Sequence, residues 1–245
     1  QLAERQGRPL LSADAVQKRL SDCLPDRYYM LDSLLGLVPK DARLGLLSPL
    51  WTKVPAAERA YTALSFLSSE NEPPVPAFAE FLVEAYVTAL ADVDEPTMLG
   101  YSLQSIVSNS KLDPAIVQRL VAETVKRWSD DSAFRALDAA ACAKRGDAPG
   151  ALERVRKLLP ALAKADGERD WIVDSALTAL VNALGKEHAG ELVALADEYE
   201  ASAPSTEDEG AERIERLRTS VFELLGDRDK KRASLEARLE KKPKD

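Results

Sequence analysis

The chain has 245 residues, of which 45% are hydrophobic and 30% charged. That is the balance of a folded protein with room for a sizeable core, not of a disordered one. A net charge of −8 argues against a surface built for phosphate backbones, so no nucleic-acid partner is expected. One histidine and two cysteines, Cys23 and Cys142, cannot complete a zinc site of the usual pattern, and no run of about 18 apolar residues is present to span a membrane.

Apolar residues recur at helical spacing along almost the whole chain, and strict alternation over a strand length is hard to find. The pattern predicts more than about two-thirds helix and no sheet. Thirteen helices are expected, over 12–24, 27–38, 41–51, 55–69, 75–91, 96–110, 114–128, 132–145, 149–165, 168–184, 187–201, 208–225 and 228–241. Ser12 caps the first of these, and Asp113 precedes Pro114 at the start of the seventh. Pro25, Pro39, Pro55, Pro73, Pro74, Pro96, Pro149 and Pro204 also fall at or near helix starts, where a missing N–H costs little.

The N-terminal part is the most apolar. Tyr28, Tyr29, Met30, Leu31, Leu34, Leu35, Leu44, Leu46, Leu47 and Trp51 read as core, with an interface as the alternative. On 96–110 the stripe Leu99, Leu103, Ile106 and Val107 is expected to be buried. The opposite stripe is Tyr101, Gln104, Ser105 and Ser108, with Asn109 beside it. On 168–184 Val173, Leu177, Leu180, Val181 and Leu184 face the core, and Trp171, Asp174, Ser175, Thr178 and Asn182 face away. The intervening 114–128 and 149–165 look like ordinary solvated helices. They are expected to bury Val117, Leu120, Val121 and Trp128, and to expose Gln118, Arg119, Glu123, Lys126, Arg127, Glu153, Arg154, Arg156 and Lys157. The last stretch, 205–245, holds 11 acidic and 11 basic side chains, so the net negative charge lies before it.

The pairing of helices carries more information than their number. Gly146-Asp147, Gly185-Lys186 and Gly226-Asp227 each close one helix and open the next, at separations of 39 and 41 residues. Lys111-Leu112-Asp113 does the same one unit earlier. Turn residues fill the gaps between units, "SDDS" at 129–132, "ADGE" at 165–168 and "APSTEDEG" at 203–210. Helical hairpins of near-constant length are the mark of a stacked array, because an isolated hairpin cannot bury its apolar face. The expected fold is therefore all-α, stacked hairpins in an α-solenoid-like array. An irregular helical globule with hairpins of similar length is the alternative. One domain over 1–245 is expected, with a softer division near 70–75 and a charged C-terminal hairpin.

"RGDAPGALERVRKLL", with Gly146, Ala151 and Val155, resembles the turn and second helix of a tetratricopeptide repeat. The period is longer than that family's and closer to HEAT-like arrays. The resemblance covers one hairpin well, and "LGKEHAGELVALA" and "LLGDRDKKRASLEARL" match poorly. It implies a helical-repeat scaffold that binds other proteins.

Catalytic signals are absent from the sequence. His188 sits at a helix start beside Gly185 and reads as surface. Asp92, Asp94 and Glu95, Asp130 and Asp131, and Glu207 to Glu209 lack the glycine and spacing of a calcium loop and suit helix N-termini. There is no phosphate loop, dinucleotide fingerprint, HExxH or nucleophile elbow, and no cofactor is expected. The short neutral side chains on two first helices of hairpins stand out, because Ser, Thr, Asn and Gln hold a partner without ordering long charged side chains. Gln104, Ser108, Asn109, Lys144, Ser175, Thr178 and Asn182 are thus expected to face one groove that binds a protein or peptide. Lys144 would meet a carboxylate there, and the two asparagines would hold the partner's backbone. The alternatives are tight packing of these faces on neighbouring helices, an all-helical enzyme with a central polar cavity, and a structural or regulatory domain of a longer chain. A start at Gln1, not Met, reads as a mature form or a fragment. A cytoplasmic setting is expected, with an exported mature form as the alternative.

Overall fold

The computed structural model describes residues 12–68, 74–109, 111–162, 170–202 and 208–241. Among the described residues it contains twelve α-helices, four short 3-10 segments and no strand. The expected turns at 165–168 and 203–210 lie wholly or largely outside the described residues, as do Pro73, Pro204 and the side chains of the 207–209 acidic cluster. The described residues divide into two compact units, those up to 102 with 111 and 112, and 103–109 with those from 113 onward. The change of unit falls inside a helix. Of the softer division expected near 70–75, residues 70–73 lie outside the described residues.

In the first unit α1 (Ala13–Cys23) is capped by Ser12, whose hydroxyl accepts from the Ala15 N–H at 3.3 Å. The expected helices 27–38 and 41–51 are broken more finely. A 3-10 turn, Tyr28–Met30, leads into α2 (Leu31–Leu35). A second, Lys40–Ala42, leads into α3 (Arg43–Leu47), and a third, Ser48–Lys53, follows. The cause is punctuation, since Gly36, Pro39, Gly45 and Pro49 fall within a few residues of one another. Leu31, Leu34, Leu35, Leu46 and Leu47 are buried as expected, while Tyr28, Met30, Leu44 and Trp51 are half-buried and Tyr29 is 69% exposed. Helices α4 (Ala56–Ser68) and α5 (Pro76–Ala89) pack together around aromatic side chains. Phe66 meets Phe78 edge-on at 6.0 Å, and Trp51 meets Phe81 at 5.6 Å.

Helix α6 (Thr97–Asn109) carries the buried stripe Leu99, Leu103, Ile106 and Val107. Its last seven residues belong to the second unit. There follow α7 (Pro114–Arg127), α8 (Ser132–Lys144), α9 (Ala148–Leu162), α10 (Asp170–Ser202), α11 (Asp208–Leu225) and α12 (Arg228–Lys241). Each packs on its neighbour in sequence, and α8 packs on α7, α9 and α10. That central position explains its composition. Ala133, Ala136, Ala139, Ala140, Ala141 and Ala143 are all buried, and only small side chains let three helices approach one. Val173, Leu177, Leu180, Val181 and Leu184 of α10 are buried, as the sequence periodicity requires.

The hairpin turns share one device. Gly146 and Gly226 adopt φ of 86° and 71°, a region that side chains with a Cβ avoid. The N–H of the following Asp147 or Asp227 reaches back to the carbonyl of Cys142 or Phe222, at 3.2 and 3.0 Å. The aspartate then caps the next helix, Asp147 accepting from the Gly150 N–H at 3.0 Å and Asp227 from the Lys230 N–H at 3.1 Å. Gly185, with φ 65° and ψ −173°, kinks α10 into two arms, and Lys186 stands where the other two turns have an aspartate.

Of the residues expected on solvated faces, Arg119 and Glu123 are half-buried, and two more are held by a side chain of a neighbouring helix. Gln118 of α7 is buried and donates to Asp138 of α8 at 2.7 Å, and Arg154 of α9 is half-buried and donates to the other oxygen of Asp138 at 2.7 Å. A helical wheel drawn for one helix cannot show that Asp138 stands between them. Trp128, expected to be buried, is half-buried, with its ring 5.7 Å from that of Phe134. Both cysteines are free thiols, and burial, the largest influence, pushes the buried Cys142 up to about 11.

Candidate functional site

Within the second unit, α6, α8 and the first arm of α10 border a concavity of about 650 Å³. Helix α6 contributes Gln104, Val107 and Ser108, and α8 contributes Lys144. The first arm of α10 contributes Asp174, Ser175, Thr178, Ala179, Asn182 and Ala183. Six of the seven residues singled out in the sequence are thus brought together: Gln104, Ser108, Lys144, Ser175, Thr178 and Asn182. The side chain of the seventh, Asn109, lies outside the described residues. Helical spacing explains the convergence on α10, since residues 174, 178 and 182 repeat every fourth position and residue 175 lies beside them on the same face.

The wall is polar and short-chained. Gln104 donates from Nε2 to Ser108 Oγ at 3.1 Å along α6, and Thr178 donates to the Asp174 carbonyl at 2.9 Å. Lys144 donates from Nζ to the Val107 carbonyl at 3.0 Å. That carbonyl belongs to the last turn of α6, where orphan acceptors and the negative end of the helix dipole favour a cation. Lys144 therefore has a structural bond joining α8 to α6, which the sequence did not reveal. Burial holds its pKa below the ordinary lysine range.

The sequence passed over Asp174 as a site residue, although it lay on the same stripe. Asp174 pairs through Oδ2 with Nη1 of Arg216 on α11. Its Oδ1 is buried and has no hydrogen-bond partner. A second, smaller concavity of about 250 Å³ lies on the α11 side, and Asp174 and Thr178 line it too. There Arg216, Thr219 and Ser220 face them across Leu177 and Leu217. The signal for these three was available, because α11 is the first helix of its hairpin, like α6 and the first arm of α10. Trp171, one turn before Ser175 on the same stripe, is 44% exposed.

The remaining candidates have local roles. His188 Nδ1 lies 2.9 Å from Glu191 Oε1 on the second arm of α10. Asp131 caps α8, accepting from Ala133 and Phe134, and Glu95 accepts from Thr97 at the start of α6. Among the described residues, no group of three or more His, Cys, Asp or Glu side chains is arranged to hold a metal ion, and no helix is long and apolar enough to cross a membrane. No family model matches the chain, and no curated protein or solved structure does either.

Proposed function

We propose that the chain is a non-catalytic helical-repeat module that binds a protein or peptide segment in the α6–α8–α10 groove. The observation that carries this reading is the convergence of short polar side chains from three helices on one concavity. A face that only packed on its neighbours would be filled. Here Thr178 and Asn182 are exposed at the wall of an open space. The stacked, α-solenoid-like continuation of the hairpins belongs to the same proposal. It is supported by the recurrent glycine turns and by the neighbour-on-neighbour packing of α7 to α12. In this reading Gln104, Ser175 and Asn182 hydrogen-bond the partner's backbone, and the ammonium of Lys144, with three donors, meets a carboxylate.

A displayed library of random decapeptides, selected on the protein, tests the proposal. Selected peptides are expected to bind wild type at least about 10-fold more tightly than a Lys144→Ala, Asn182→Ala variant whose circular dichroism is unchanged. Equal affinity for both proteins would remove the groove from consideration.

A further inference from the structure

One large apolar side chain stands in line with the polar wall of the groove. Trp171 is 44% exposed, whereas Trp51 and Trp128 are half-buried. Among the described residues it is the largest exposed apolar side chain of the second unit. A lone apolar residue on a surface needs no explanation. Position is what sets this one apart. Residues 171, 175, 178 and 182 repeat at helical spacing, and Trp171 falls within the arc between the lining residues Asp174 and Ser175, one turn before them. The first arm of α10 thus presents an indole at one end of its open stripe and the exposed amide of Asn182 at the other.

The chemistry of the stripe selects the form of an occupant. Ser175, Thr178 and Asn182 offer hydroxyls and an amide between the two ends. A helical segment keeps its backbone groups bonded to itself, while an extended one presents an N–H or a carbonyl at every residue. The polar stretch therefore suits an extended segment. From Trp171 to Asn182 the helix climbs three turns, about 16 Å. An extended chain advances about 3.3 Å per residue and covers that path in about five residues.

Charge does not set the register, because Asp174 is paired with Arg216 and Lys144 is bonded to the Val107 carbonyl. The indole does. Tryptophan is enriched among the residues that carry binding energy, since it buries a large rigid surface at little cost in side-chain freedom. We infer that the occupant is an extended peptide stretch lying along the first arm of α10, with an apolar side chain on the Trp171 indole and a backbone amide about five residues away at Asn182. The inference rests on the groove reading above. It adds an apolar anchor, an extended form and a register.

The probe is the tightest tryptophan-free decapeptide from the library selection, resynthesised with each residue changed in turn to alanine and, in a second series, with each backbone N–H replaced by N–CH3. Changing one apolar residue of the peptide is expected to weaken binding to wild type by about 10-fold or more. The same change is expected to be silent against Trp171→Ala, and reduced in effect against Trp171→Phe, which serves if the alanine variant does not fold. Binding is expected to shift the indole emission of wild type to the blue but not that of Trp171→Phe, a signal that a merely structural role would not produce. An N-methylation about five residues from the apolar position is expected to weaken binding to wild type but not to Asn182→Ala. Equal effects of every alanine change on wild type and both Trp171 variants, or an emission shift that Trp171→Phe retains, would overturn the anchor while the groove reading stands. If no N-methylation at that interval depends on Asn182, the extended register is overturned. If the selected peptides ignore the Lys144 and Asn182 substitutions, the groove reading fails and this inference fails with it.

Discussion

Residues 28–53 and residues 132–225 draw on the same helix-forming residues and build different things. In the first stretch helices of five residues alternate with 3-10 turns, and leucines do most of the burying. In the second, helices of 13 to 18 residues, with the kinked α10 between them, turn back at glycines of positive φ. A five-residue helix is about one and a half turns and can present a single buried edge. A helix of four turns can bury one stripe and still display another, as α10 does with Leu177 and Leu180 on one side and Thr178 and Asn182 on the other. The candidate groove is built from long helices of this kind.

The largest expected contrast comes from the two stripes themselves. Truncating Leu177 to Ala should cost about 2–5 kcal/mol, as for a large-to-small change in a packed core. Tyr29→Ala, at the most exposed aromatic of the short-helix stretch, should change stability by less than about 0.5 kcal/mol. Urea denaturation of both variants measures the pair. A loss below about 0.5 kcal/mol for Leu177→Ala would mean that α10 buries a different face.

Glycine substitutions should differ in sign between the two stretches. A Cβ at Gly146 would meet nothing within 4 Å, so the cost of Gly146→Ala is that of holding alanine at φ 86°, about 1–2 kcal/mol. Gly45 lies inside α3 with nothing within 4 Å of an added Cβ and a negative φ. Gly45→Ala should stabilise by about 0.4–1 kcal/mol. Thermal midpoints moving in the same direction for both would break the distinction between a glycine that makes a turn and one that interrupts a helix.

A smaller effect separates the hairpin caps from the rest by pH. Asp147 is held below the usual carboxylate value of 3.8 first by the Gly150 N–H and then by the Cys142 thiol. Asp227 is held below it chiefly by the Lys230 N–H. A carboxylate with a lowered folded pKa contributes stability that is complete above its unfolded value and is lost as pH falls through the folded one. Both caps should therefore weaken below pH 3.8, and Asp147→Asn, which still caps, should remove one share of that acid loss. An unaltered stability difference between about pH 7 and about pH 3 in the variant would show that the cap does not titrate as the geometry requires.

Much of this was legible beforehand because it is local. Helical periodicity located the elements to within a few residues, and Gly146, Gly185 and Gly226 marked turns because positive φ leaves few other choices. Five of the proposed groove residues, Gln104, Ser108, Ser175, Thr178 and Asn182, lay on stripes that one helix alone defines. What the sequence hid is relational. Gln118 and Arg154 looked solvated until Asp138 stood between them, and Lys144, expected to meet a partner's carboxylate, gave no sign of its bond to the end of α6. Asp174 was visible on its stripe but became notable only once Arg216, 42 residues away, occupied one of its oxygens.

Lys144 sharpens the comparison at its finest scale, since it belongs both to the scaffold and to the proposed site. Burial lowers its pKa from 10.5, and the bond to the Val107 carbonyl at the end of α6 offsets part of the cost of burying the ammonium. With gain and cost opposed, Lys144→Met should change stability near neutral pH by less than about 1 kcal/mol. The sign of the pH dependence is fixed separately. Below the lowered folded pKa the lysine is charged in both states, and wild type carries the full desolvation cost. Between that value and 10.5 the folded protein has released a proton that the unfolded chain still holds, so stability rises with pH across that window. The stability of wild type relative to Lys144→Met should therefore increase as pH is raised to 10.5, with the other titrating groups cancelling in the difference. If the gap moves the other way, folding stabilises the ammonium, and its bond to the Val107 carbonyl outweighs the cost of burial.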